Sequence, residues 1–187
     1  MKRLICLISL VLLVTALASC GAQSIDGFAV PSDMTYLASE AGDYYLIYPQ
    51  NWLTETTVGM TSVYTEDAYR SSVIVTANEL PAEMTSIEQY WEQYTEQFRA
   101  QFSDFEMVDP EPSDVTVGRE QKDYGGMTAE GKKYRYRATV GDVEYQWSQV
   151  FFLHNATLYT VTYTAKAAVY DSHTDDVDKI LAYFAIR

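Results

Sequence analysis

From Lys133 to Ala138 the residues Tyr134, Tyr136 and Ala138 alternate with Lys133, Arg135 and Arg137. This period of two predicts a strand with one aromatic, buried face and one cationic, wet face. Gly141-Asp142 follows with the composition of a two-residue hairpin turn, which sets Tyr136 opposite Trp147 and Tyr134 opposite Gln149. The alternation lapses in Gln149-Val150-Phe151-Phe152-Leu153, as in a strand covered on both sides, so a second layer is predicted behind the sheet. A further turn at Asn155-Ala156 groups Val150 and Phe152 with Tyr159, Val161 and Tyr163, leaving Leu153, Leu158 and the threonines 160, 162 and 164 on the other face.

Shorter patterns flank these three strands. Met34 to Ser39 and Tyr44 to Tyr48 read as strands around a turn at Glu40 to Asp43, with Pro49 as a stop. Trp52 then falls just past a sheet edge, where its ring can cover the core and its N–H can find a partner. Val58 to Thr65 and Ser72 to Ala77 are further strands. Thr85-Ser86-Ile87-Glu88 matches a capping box with Thr85 as the cap. The helix it opens carries Ile87, Tyr90, Trp91, Tyr94, Phe98 and Phe102 on one face. Pro110 and Pro112 break that pattern, Val115 to Val117 resumes a strand, and a turn follows near Gly125-Gly126. Val177, Ile180, Leu181 and Phe184 mark a C-terminal helix, with Asp171 or Ser172 as its cap. Two separated helices, about six strands and no βαβ alternation predict an α+β fold.

The first residues change the picture from fold to address. Lys2 and Arg3, the apolar run Leu4 to Ala16 and then Leu17-Ala18-Ser19-Cys20 have the order of an export signal, and Leu4 to Ala18 falls short of the ~20 apolar residues a membrane span needs. Leu17-Ala18-Ser19-Cys20 resembles the bacterial lipoprotein box, which implies cleavage between Ser19 and Cys20 and a diacylglycerol thioether on Cys20. The expected organisation is a signal over residues 1–19, an acylated cysteine and flexible tether over 20–33, and a globular domain over 34–187. Such a tether reaches on the order of 20 Å. The other cysteine, Cys6, lies in the signal, so no disulfide is expected in the mature domain. Removing the signal leaves 11 basic against 26 acidic side chains, a formal charge of −15. That acidity opposes binding to nucleic acid and to anionic headgroups, so membrane attachment is expected to rest on the lipid.

Candidate chemistry is sparse. The chain has only His154 and His173, and no nucleophile elbow, zinc-protease motif or phosphate loop. Neither an enzymatic role nor a cofactor is expected. Asp171, His173, Asp175, Asp176 and Asp178 form a ligand-like cluster, but an acidic helix start accounts for the same residues, and no metal is expected. Lys132, Lys133, Arg135 and Arg137, with Arg119 and Lys122, hold six of the eleven mature cations. They could receive an acidic partner or an anionic wall polymer, or form a solvated strand face that resists edge pairing. Lys133, Arg135, Arg137 and Trp52 are the candidate partner-binding residues. Sixteen tyrosines could line a groove for a small molecule, peptide or glycan, although most fall at core positions; Trp52 and Tyr69 are less clearly core. Asn155-Ala156-Thr157 matches a glycosylation pattern that a bacterial signal renders incidental.

Several of these patterns together resemble the PsbP-like family, which includes DcrB-like bacterial lipoproteins. The likeness rests on Tyr48-Pro49 with Trp52, Ile87 with Tyr90-Trp91, Gln149-Val150-Phe151, Leu158-Tyr159 with Val161-Thr162-Tyr163, and Ile180-Leu181 with Phe184. It implies an α/β/α sandwich, an antiparallel sheet with helices on both faces, acting as a binding or assembly module. It supplies no catalytic residue. The reading is then a lipid-anchored envelope protein on the extracytoplasmic face of a bacterial membrane, with an envelope protein or other envelope component as partner.

Overall fold

The computed structural model describes residues 23–39 and 42–187. Three strands dominate: β10 (Ala129–Val140), β11 (Val143–His154) and β12 (Thr157–Lys166). Their register is the expected one, with Tyr136 opposite Trp147, Tyr134 opposite Gln149 and Phe152 opposite Tyr159. Gly141 takes a left-handed φ of 64° in the first turn, and Asn155 and Ala156 both do so in the second. Primed turns of this kind match the twist of the strands they join.

The principal sheet is larger than six strands. On one side β12 pairs with β7 (Ser72–Glu79), which pairs with β6 (Met60–Thr65) and then β5 (Trp52–Thr57). On the other side β10 pairs with both β8 (Glu106–Met107) and β9 (Ser113–Val117), which gives an eight-stranded antiparallel sheet. The extra strands carry weak patterns. Beyond Trp52 every β5 residue is exposed, and β8 has only two residues before the prolines.

A single helix, α1 (Ile87–Gln101), covers one face. Trp91 stacks on Tyr134 at 4.2 Å between ring centroids and packs with Tyr136 and Phe151. Its cap is Ser86, one residue later than expected: the Ser86 hydroxyl accepts from the Gln89 backbone N–H at 3.3 Å. Gln89, not Glu88, reaches back, its Oε1 accepting from the Thr85 N–H at 2.8 Å. An uncharged amide one position on thus bonds the residue before the cap rather than the cap's own N–H, a variant of the capping box.

Helices do not close the other face alone. It meets a second, three-stranded sheet of β3 (Met34–Ser39), β4 (Tyr44–Pro49) and β13 (Ala185–Ile186), beside α2 (Thr174–Tyr183). Phe184 seals this larger core, stacked on Tyr44 at 5.0 Å and edge-on to Phe152 at 5.5 Å. α2 follows a 3₁₀ segment, Ala167–His173, so its cap position is His173 and neither Asp171 nor Ser172 caps with a side chain.

Residues 23–33, expected within a tether, are folded. Strands β1 (Gln23–Ile25) and β2 (Phe28–Val30) form a hairpin around Asp26-Gly27, and Ala29 and Val30 are buried. The buried Gln121 fixes it, with Nε2 donating to the carbonyls of Ala29 and Tyr183 and Oε1 accepting from the Ala29 N–H. Gln121 is held in a 3₁₀ turn, Arg119–Tyr124, entered through Gly118 at a φ of 74°. A side chain at Gly118 would meet the Phe184 carbonyl at 2.9 Å, so the close approach of the C-terminal segment requires glycine there. Residues 1–22, including Ser19 and Cys20, lie outside the described residues.

Candidate functional site

The odd-numbered side chains of β10 share a face with Gln146, Ser148 and Val150 of β11, the face that α2 approaches. A cleft of about 550 Å³ opens there. Asp109, Glu111 and Ser113 form one wall, Thr174, Val177 and Asp178 of α2 the other, and Ser148, Tyr163 and Tyr170 the floor. Lys133 and Arg135 enter from β10.

Both cations are already engaged. Arg135 donates from Nε and Nη2 to the two carboxylate oxygens of Asp109, each at 2.6 Å, and Lys133 Nζ lies 3.2 Å from Asp178. The same holds along the strand, with Arg137 2.7 Å from Glu106 and Lys132 2.7 Å from Asp114. Arg119 pairs with Glu120 at 3.5 Å. Hydrogen bonds from Arg135 hold the Asp109 carboxyl below its usual pKa, and the same bonds raise that of the guanidinium. A bidentate fork fixes both planes, so this pair acts as a rigid post at the mouth of the cleft. Below it the Tyr163 hydroxyl donates to the Tyr170 carbonyl at 2.7 Å, and burial pushes the Tyr163 phenol well above its ordinary pKa. Glu111 and Asp171 carry no ion pair among the described residues, which leaves the rim acidic. The arrangement can hold a partner by hydrogen bonds and charge; its tyrosines, shifted upward, are neutral donors at physiological pH.

Trp52, the fourth candidate, is not on this surface. It is 4% exposed, packed edge-on to His173 with centroids 5.7 Å apart, and its Nε1 has no protein partner, contrary to expectation. The neighbouring buried hydroxyls of Thr65 and Ser71 also lack one. The acidic segment is dispersed as well: Asp178 faces Lys133, while Asp176 and Asp67 flank the His173 ring at 3.3 and 3.5 Å. Among the described residues no three acidic, histidine or cysteine side chains group as metal ligands. His154 is at the hairpin tip beside Asn155, and Tyr69 is half exposed under Lys166.

Reasoning from sequence missed Asp109, Ser148 and Tyr170. Only the acid-proline alternation Asp109-Pro110-Glu111-Pro112 hinted at a rigid, charged segment, and nothing local tied it to Arg135, 26 residues away. A second hollow, about 730 Å³, separates Leu37 of β3 from Val58 and Met60 at the β5–β6 tip. Among the described residues no helix is long and apolar enough to cross a membrane.

Comparison with solved structures supports the fold. The chain is similar to a Bacteroides thetaiotaomicron protein (12% identity, TM-score 0.56), covering 83% of this chain and 49% of that one, so it spans about half of that relative. It is similar to the cyanobacterial PsbP of Synechocystis (14% identity, TM-score 0.56), over 91% of this chain and 99% of the other. It is also similar to the Saccharomyces cerevisiae Ran-binding protein Mog1p (10% identity, TM-score 0.54), over 82% and 95%. No curated protein sequence matches it significantly. The family described as DcrB matches residues 45–183, a span that contains every wall of the cleft. The chain therefore belongs to the DcrB family, on a fold shared with PsbP-like proteins.

Proposed function

We propose that this protein is a lipoprotein of a bacterial cell envelope, anchored through Cys20, whose domain binds an envelope protein in the α2 cleft without catalysis. The observation that carries the reading is the state of the cleft. Its cations are locked into intramolecular pairs, and no histidine lines it. Such a surface offers fixed shape and charge rather than a base poised near neutrality. A protein partner is preferred over a glycan or small molecule because Trp52, which would serve as a stacking platform, is buried. The name of the yeast neighbour, a Ran-binding protein, supports protein binding on this fold.

The test is photocrosslinking in intact cells from probes at Glu111 and Thr174, on opposite walls, with Val58 as a remote control. Both cleft probes should capture the same envelope protein and Val58 should not. Capture from Val58 alone, or from neither wall, removes the cleft as the binding surface. Cys20→Ala should release the protein from the membrane fraction; full retention would count against the anchor.

A further inference from the structure

The folded hairpin at residues 23–30 changes what a lipid on Cys20 can do. Only Gly21 and Ala22 separate Cys20 from β1. Three residue steps span at most about 11 Å, against the ~20 Å reach of the longer tether expected from sequence. From this we infer that the domain sits directly on the bilayer, with the open end of the β1–β2 hairpin, Gln23 and Val30, against the membrane and the Gly141-Asp142 turn directed away from it. The inference rests on the lipid anchor proposed above and adds an orientation to it.

The contacts around the hairpin say which parts lie near the lipid. Val30 pairs with Gln23, and three residues later Asp33 is bonded to Lys179 of α2. The Phe28 ring lies beside Gly126, just before β10 begins. The anchored end of the hairpin is the Gln23–Val30 end, so Asp33, Lys179 and the adjoining Asp178–Lys133 pair lie on its side, and the Gly141-Asp142 turn follows eight residues after Lys133 along β10, roughly 26 Å farther on. Lys133 and Asp178, which flank the cleft, belong to the near end. A partner in the cleft therefore has to present its binding segment close to the bilayer, as an integral membrane protein does. Near the anchored end Asp33 is neutralised by Lys179, while Asp26, which keeps its charge as it accepts from the Tyr45 hydroxyl, lies at the hairpin's turn.

A mature chain with no thiol other than the acylated one lets a single introduced cysteine report distance. In membranes from cells making the full chain, a fluorophore on Ser32→Cys should be strongly quenched by a lipid-borne acceptor, and one on Asp142→Cys should escape quenching. Inserting about 15 Gly/Ser residues between Ala22 and Gln23, which adds roughly 20 Å of reach, should abolish the difference while leaving the protein in the membrane fraction. Equal quenching at the two sites in acylated, membrane-held protein without the insertion would overturn the orientation and leave the anchor intact. An unmodified Cys20 sulfur, with the protein in the soluble fraction, would overturn both.

Discussion

The two faces of the principal sheet solve the same burial problem differently. α1 closes its face with one layer of rings, in which Trp91, Tyr134, Tyr136 and Phe151 stack and tilt against one another. The opposite face is closed by a second sheet, a helix and two 3₁₀ segments that meet around Phe184, and it leaves a wedge open where β10 carries its cations. A single amphipathic helix can seal a face but offers little relief, whereas several elements meeting at an angle leave a gap. The cations of β10 sit in that gap, and each is held by an acidic side chain, while Glu111 and Asp171 carry no ion pair among the described residues.

The largest test of this contrast is Phe184→Ala. Phe184 is fully buried between the two sheets, so the substitution should cost about 4 kcal/mol in denaturant unfolding and loosen both sheets together. Trp91→Ala should cost about 3 kcal/mol, but hydrogen exchange should show the α1 amides losing protection well before those of β11 and β12. Equal acceleration in α1 and the central strands would mean that the helical face is no separate lid. The smallest effect is expected at the cleft. Asp109→Asn should cost about 1 kcal/mol near neutral pH, because both partners are about one-third exposed and solvent screens the pair.

The Asp109 effect has a pH signature. Its folded-state pKa is depressed by Arg135, so its stabilisation is present above the ordinary carboxylate range and is lost as pH falls through the lowered value. The stability gap between wild type and Asp109→Asn should therefore close in strong acid. A gap that persisted there would assign the effect to packing rather than charge.

Legibility in sequence followed the range of the interactions. β10 to β12 were readable because alternation and two turn dipeptides fix the register locally, down to Tyr136 against Trp147. The β1–β2 hairpin went unread although Asp26-Gly27 is a strong turn signal, because three-residue strands show no period. Gln121 reads as one more polar residue in a turn, yet it is fully buried and joins segments 92 and 62 residues away. The cleft was invisible for the same reason. Arg135 and Lys133 were visible as a cationic stripe, but Asp109 and Asp178, which neutralise them, lie 26 residues before the one and 45 residues after the other.

That buried amide also decides how the molecule meets mechanical tension. A pull on the amino terminus would load the first hairpin, and the Gln121 side chain would relay the force from Ala29 to the Tyr183 carbonyl at the end of α2. The carboxyl-terminal helix, which forms one wall of the cleft, is thus only one side chain removed from the first hairpin.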